Sequence, residues 1–322
     1  MIYQTVVLST FIAATSARFF TNETDSLIDM WNTFKREHKK DYDVAEEGKR
    51  FNIFVENLKI VDERNAAETG SALHGITKFS DLSQEEFRQR YLGARPSKRG
   101  ADNVVDDVPA ASTSAQDWTG IYTTPVKDQG YCGSCWAFSA TEQLESDAWR
   151  VLGSEYILSP EQVTQCTTAA FGCGGGWTET AYAYIKNEGG LETNADYPYT
   201  SYYGQTGSCS AVKSMEVVGL SGYTTINGET NMANYVLSTG PLSVCLDANS
   251  WSSYTGGIMK TCGKQVDHCV QAVGVDTGSN GYWKVRNSWG TSWGESGYIR
   301  LAYGQNTCDI TNDPTYVTPI AA

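Results

Sequence analysis

Two early stretches of the chain place apolar residues at helical spacing. Leu27, Met30, Trp31 and Phe34 form one stripe, and Phe51, Phe54, Leu58 and Val61 form another, each the buried face of an amphipathic helix. Ser83-Gln84-Glu85-Glu86 has the form of a capping box and predicts a short third helix. Residues 93–115 are rich in Pro, Ser and charge and have no periodicity, which predicts an exposed linker of the kind proteases nick. Beyond it, helix and strand signals alternate. Ser159-Pro160-Glu161-Gln162 combines a capping Ser, Pro at the first helical position and Gln at the third. From Gly219 onward, glycine-punctuated runs at 270–275, 282–285 and 298–301 predict an antiparallel sheet. No internal repeat is present.

The longest apolar run, residues 6–14, is too short to span a bilayer and is followed by Thr15-Ser16-Ala17. Residues 1–17 therefore read as a secretory signal, with a buried N-terminal strand as the alternative. A secretory route places the remaining chain in an oxidising compartment, secreted or in a lysosome- or vacuole-like lumen. Asn22-Glu23-Thr24 is then a glycosylation sequon.

Composition narrows the class. In 322 residues, 40% are apolar and 19% charged, with 10 Phe, 9 Trp and 19 Tyr, enough to fill a packed core. The formal charge of −13 supplies no general attraction for nucleic acid or an anionic membrane. Charge and cysteine are unevenly spread. Residues 18–108 carry 15 Lys and Arg against 18 Asp and Glu and no Cys, whereas 109–322 is net −10 and holds all nine cysteines. The 15 cations predict ion pairs from the first region onto the acidic second. An odd cysteine count leaves at least one thiol to be explained.

Gln129-Gly130-Tyr131-Cys132-Gly133-Ser134-Cys135-Trp136 carries the candidate chemistry. Trp136, Phe138, Ala140 and Leu144 continue as a helix, so Cys135 opens it, where unpaired N–H groups and the helix dipole favour a thiolate nucleophile. A Cys132/Cys135 redox pair or half of a zinc site is the competing reading. His268 is the single histidine after residue 109, so only it can partner Cys135 from the same region. Asn287, in Arg286-Asn287-Ser288-Trp289-Gly290, could orient its ring.

With these residues in view, the chain resembles the papain/cathepsin L family of cysteine proteases. Cys-Gly-Ser-Cys-Trp at 132–136, Cys173-Gly174-Gly175-Gly176, Val266-Asp267-His268 and Asn287-Ser288-Trp289-Gly290 match in order and spacing. In the first region Glu46, Arg50, Phe54, Asn57, Val61 and Asn65, then Gly75, Thr77, Phe79 and Asp81, resemble the two motifs of cathepsin L-type propeptides, with Val61 and Thr77 standing where Ile and Asn are usual.

The resemblance implies an α+β, two-lobed fold, a helical lobe plus an antiparallel β-barrel lobe, preceded by a helical inhibitory propeptide. Its divisions would be 1–17 signal, 18–108 propeptide and 109–322 mature peptidase. It further implies that Cys135 attacks, His268 exchanges protons, Asn287 orients His268, Gln129 helps hold the oxyanion and Trp289 covers the His268–Asn287 bond. Gly175 and Gly176 would pair with an extended polypeptide substrate, while Trp177, Cys245, Val266, Asp267, Cys269 and Asp313 would surround it. Asp313, at the position of the S2 floor, would favour a basic P2 residue when ionised, or else serve only a turn.

The resemblance pairs Cys132 with Cys173, Cys166 with Cys209 and Cys262 with Cys308. Cys245 and Cys269 stand where relatives carry small apolar residues, and parity favours a fourth bridge between them over two free thiols. A missing His-His occluding pair implies an endopeptidase. The expected protein is a monomer with no cofactor or metal, inhibited by its own propeptide and by cystatin-like proteins. A catalytically dead homologue and a Cys132/Cys135 thiol–disulfide oxidoreductase are the alternatives, and the fate of Cys132 separates the latter from the protease.

Overall fold

The structure, a computed structural model, describes residues 18–97 and 100–322; the stretch read as a signal lies outside them. Helices α1 (Thr24–Glu37) and α2 (Val44–Ala67) cross through an aromatic core. Trp31 stacks on Phe34 and Tyr42 with centroids 5.4 and 5.5 Å apart, and Phe54 and Leu58 complete the packing. Part of this region is held by buried charge. Arg50 pairs with Glu46 at 2.7 Å and Glu86 at 2.8 Å, and Asp81 accepts from Lys40 at 2.9 Å and Tyr42 at 2.6 Å. Burial with full pairing avoids the cost of an isolated charge. Ser83 and Glu86 close the capping box of α3 (Gln84–Tyr91).

The second region is two-lobed. Helix α4 (Cys135–Leu152) is buried along most of its length and ends at Gly153, whose φ of 75° suits a left-handed cap. It packs with α5 (Pro160–Cys166) and α6 (Thr178–Glu188) around Trp136, Leu144, Leu158 and Tyr182. Ser159 caps α5 by accepting from the Gln162 N–H at 3.0 Å. The other lobe is built on strands Val218–Ile226, Leu242–Leu246, His268–Asp276, Tyr282–Arg286, Tyr298–Ala302 and Thr315–Ala321, paired antiparallel, with α7 (Glu229–Ser238) against them. The architecture is mixed α+β. Ser139 of α4 joins the lobes, donating to Val270 O at 2.7 Å.

One expectation holds in part and another needs correction. The described residues of 93–115 are mostly exposed, as the linker reading expects, but the segment is not unpaired: Ala94 bridges to Gly176, Asn103–Val105 adds a parallel strand to Val218–Ile226, and Ala115–Asp117 pairs with His268–Asp276. Backbone pairing requires no apolar period, so nothing in the side-chain pattern marks it. Nor is the first region bound by many ion pairs. Among the described residues, Lys78–Asp128 at 3.0 Å is its cation–carboxylate bridge to the second, while Lys186–Asp102 has the reverse polarity. Most of the other paired cations meet carboxylates of their own region, and the contact between regions is largely neutral: strand Leu73–His74 pairs with Tyr254–Gly256, and Thr77 donates to Ser252 O.

Candidate active site

Cys135 is the first residue of α4 and the free cysteine, with no exposed surface. The backbone N–H groups of Cys269, Gly93 and Trp136 point at its sulfur, yet burial dominates and pushes the thiol up to about 11. The helix N-terminus alone favours the thiolate; here desolvation of the fully buried sulfur wins.

His268 opens the strand His268–Asp276. Its Nε2 lies 2.8 Å from Asn287 Oδ1, which also accepts the Ser288 N–H at 2.8 Å. That second bond fixes the amide oxygen toward the ring, so Nε2 carries the proton and Nδ1 keeps the lone pair. Nδ1 is buried and has no partner among the described residues. Trp289 covers the pair, its ring 4.8 Å from the imidazole. Burial lowers His268 to about 4, the Asn287 bond opposing this. Both candidate catalytic groups are thus neutral.

Gln129 sits beside them with its Oε1 accepting from Ser288 Oγ at 2.6 Å. Its Nε2 donates to Cys132 O at 2.8 Å and to Tyr91 O at 3.1 Å. Tyr91 belongs to the first region, whose chain then runs the length of the cleft. Gly176 N–H donates to Gly93 O at 2.9 Å, Arg95 N–H to Gly176 O at 2.8 Å and Ala94 N–H to Asp267 O at 2.9 Å. Arg95 Nε also donates to Gly174 O. Gly175 bends the cleft wall with φ of 111°. Ala94 packs in a pocket of Trp177, Cys245, Cys269 and Val266. Phe79, Phe87 and Tyr91 cover Trp289 edge-on, centroids 5.3, 5.3 and 6.1 Å away.

Cys132 is bridged to Cys173, which removes the thiol that an oxidoreductase reading requires. Cys166–Cys209, Cys245–Cys269 and Cys262–Cys308 are the other bridges. Asp313 is buried in a bend behind Thr178. It accepts from Thr178 Oγ1 at 3.4 Å and from the Trp177 side chain, and burial, with Glu179 nearby, raises it to about 7. Burial likewise raises Asp267 to about 7. Asn22 is exposed.

With this geometry established, comparison with known proteins decides the family. Residues 112–318 match the papain family cysteine protease model, and residues 31–87 match the cathepsin propeptide inhibitor domain. The chain belongs to the papain family of cysteine proteases. It is similar to the cathepsin L-like proteinase of Phaedon cochleariae, 37% identical over 91% of this chain and 94% of the relative. The digestive cysteine proteinase 1 of Homarus americanus is 36% identical over 89% and 94%. Among solved structures, digestive procathepsin L 3 of Tenebrio molitor superposes with a TM-score of 0.79 at 31% identity, over 91% of this chain and 99% of that one. The protease is cathepsin L-like and carries an inhibitory propeptide, the helical first region described above.

Sequence reasoning missed three residues of the protease's cleft: Tyr91, Gly93 and Ala94. Their signal, a short Gly-Ala pair after α3, is too weak to separate from a linker. Ser288 fixes the orientation of Gln129, a role that its place in the Asn-Ser-Trp-Gly motif does not reveal.

Proposed function

We propose that the chain is the latent zymogen of a cysteine endopeptidase of the secretory pathway. Residues 1–17 direct it there, 18–108 inhibit it, and 109–322 are the mature, monomeric enzyme, acting in a secreted or lysosome-like setting. Asn22 is the glycan acceptor. Among the described residues no helix is long and apolar enough to cross a membrane.

Once the cleft is free, Cys135 passes its proton to Nδ1 of His268, and the resulting thiolate attacks the carbonyl carbon of an extended polypeptide. Gln129 Nε2 and the Cys135 backbone N–H hold the developing oxyanion. His268 protonates the leaving amine from Nδ1, the thioester forms, and His268 then takes a proton from the water that hydrolyses it. Asn287 keeps the ring in place from the opposite nitrogen. Gly175 and Gly176 receive the substrate backbone, and Trp177, Cys245, Val266, Asp267 and Cys269 surround its P2 residue, with Asp313 behind. Cystatin-like proteins are candidate external inhibitors, since they too would approach as chain laid into this cleft.

The observation that supports this most directly is the course of residues 91–95. They occupy the positions where a substrate would pair, with Ala94 parallel to Gly176 and the Gly93 N–H directed at the sulfur. A chain laid this way blocks the site. The test is hydrolysis of a fluorogenic dipeptide amide after acid activation, with and without a thiol-directed epoxide. Turnover that requires Cys135 and stops on epoxide treatment is expected; equal turnover by Cys135→Ala would sink the assignment.

A further inference from the structure

The cleft of this protease contains a feature its chemistry does not require: a disulfide in the wall of the substrate pocket. Cys245 and Cys269 lie directly opposite each other on adjacent antiparallel strands and form, with Trp177 and Val266, the pocket that Ala94 fills. From that pocket a path of contacts leads inward to a carboxyl group. Cys245 Sγ is 3.8 Å from Thr178 Oγ1, and Thr178 Oγ1 donates to Asp313 Oδ2. The sulfur bridge thus lies, with Thr178 and Trp177, in the layer of side chains that separates the Ala94 pocket from Asp313.

The bridge has no exposed surface in the proenzyme, and Ala94 of the propeptide packs against it, so thiol access requires that propeptide release uncover it. Opening it does not unpair the strands. Ser243–Gln271, Val244–Val270 and Leu246–His268 remain opposed on either side, so the ladder holds the two cysteines near one another in either state.

We propose that the Cys245–Cys269 bridge is a redox-set specificity element: closed, it limits the pocket to small apolar P2 side chains of the Ala94 kind, and opened by a low-molecular-weight thiol it lets a long basic side chain reach Asp313. This rests on the peptidase reading above. A thiolate attacks one sulfur, forming a mixed disulfide and expelling the other cysteine, which takes up a proton. A second thiolate displaces the first. Two thiols become one external disulfide while the cysteines gain two electrons and two protons. With the bridge open, each thiol turns about its own χ1 and the wall is no longer fixed across the pocket. Asp313 then offers an ion pair to Arg or Lys, an interaction the closed wall denies.

The experiment uses the full-length chain after acid activation, held at low and high thiol concentration near neutral pH. Alkylation and mass spectrometry count free thiols, and kcat/KM is measured for substrates with Ala, Leu or Arg at P2. The Arg/Ala ratio is expected to rise about tenfold as the count goes from one to three. The double variant Cys245→Ala/Cys269→Ala should hold the high ratio at both concentrations, and adding Asp313→Asn should remove the gain for Arg alone. An unchanged ratio at three thiols overturns the proposal, as does a bridge that opens only when near-ultraviolet circular dichroism is lost. Should the double variant fail to fold, the wild-type titration still decides. Failure to hydrolyse any of the substrates at either concentration would instead overturn the peptidase reading on which the inference stands.

Discussion

The carbonyl oxygen of Tyr91 accepts a hydrogen bond of 3.1 Å from Nε2 of Gln129. The propeptide thus occupies the donor that the proposed mechanism assigns to the oxyanion. Ser288 holds that donor in place from the other end of the amide, at 2.6 Å. In the proenzyme the amide is spent on a ground-state carbonyl; after release it is free for a tetrahedral oxygen. Gln129→Ala should lower kcat of the activated enzyme by about 10²–10³-fold, the usual cost of one oxyanion donor, with KM little changed. A loss confined to KM would mean that Gln129 only binds substrate.

Latency should be visible at the thiol itself. Cys135 has no exposed surface and burial raises it to about 11, so thiolate is scarce near neutral pH. Iodoacetamide should modify Cys135 at least about 10³-fold more slowly in the proenzyme than in the activated enzyme. Similar rates would mean that the propeptide does not seal the sulfur.

How far the sequence disclosed all this depends on the kind of interaction. The helix caps at Ser83 and Ser159 are local, four-residue events and were legible without any tertiary knowledge. Cys135 opens a helix of one lobe and His268 a strand of the other, so their pairing was legible through the single histidine of the region and through resemblance, not through any local period. Gly93 and Ala94 were illegible because they bind by backbone, which leaves no side-chain period. The expected ion pairs between regions failed for a related reason. Arg50 and Lys40 are used within the propeptide, against Glu46, Glu86 and Asp81, and composition cannot tell an internal pair from one between domains.

That correction moves the acid response from ion pairs between domains to a buried histidine. His74 Nδ1 lies 2.9 Å from Ser253 Oγ, and its backbone N–H donates to Asn65 Oδ1. Burial, with Arg64 beside it and Glu68 opposing, lowers it from 6.5 to about 4. The released propeptide therefore binds a proton that the docked one does not. Docking is at full strength above pH 6.5 and weakens as pH falls toward 4. His268, also lowered to about 4, acts in the same window with the same sign. Glu86, lowered to about 2 against burial chiefly by its bond from Arg50, contributes stability above its ordinary value that is lost only in stronger acid. His74→Gln keeps a hydrogen-bonding side chain but cannot charge. The full-length variant should self-activate about tenfold more slowly near pH 5, with latency unchanged at neutral pH. Equal activation rates near pH 5 would remove His74 from the response.

Gly93 provides the sharpest test of how the propeptide sits. A Cβ at this position would lie 1.9 Å from Gly133 O, 2.4 Å from its carbonyl carbon and 2.6 Å from its Cα. All three are backbone atoms, so no side chain can rotate away. Gly133 is itself pinned, its N–H donating to Cys173 O at 3.0 Å while neighbouring Cys132 is bridged to Cys173. The clash must therefore be relieved by lifting residues 92–95 off the cleft. That lift breaks the Gly176–Gly93 bond and withdraws the N–H from Cys135, and Ala94 leaves its pocket. Helices α1 and α2 pack elsewhere and should be unaffected. Gly93→Ala is thus expected to leave the proenzyme folded, with an unshifted helical circular dichroism spectrum, while raising its activity on a small fluorogenic substrate at neutral pH by at least about tenfold. The thiol of the variant should alkylate correspondingly faster. A variant as silent as the wild type would mean that the α3–Trp289 contacts alone maintain latency, and that close backbone contact at Gly93 has no part in it.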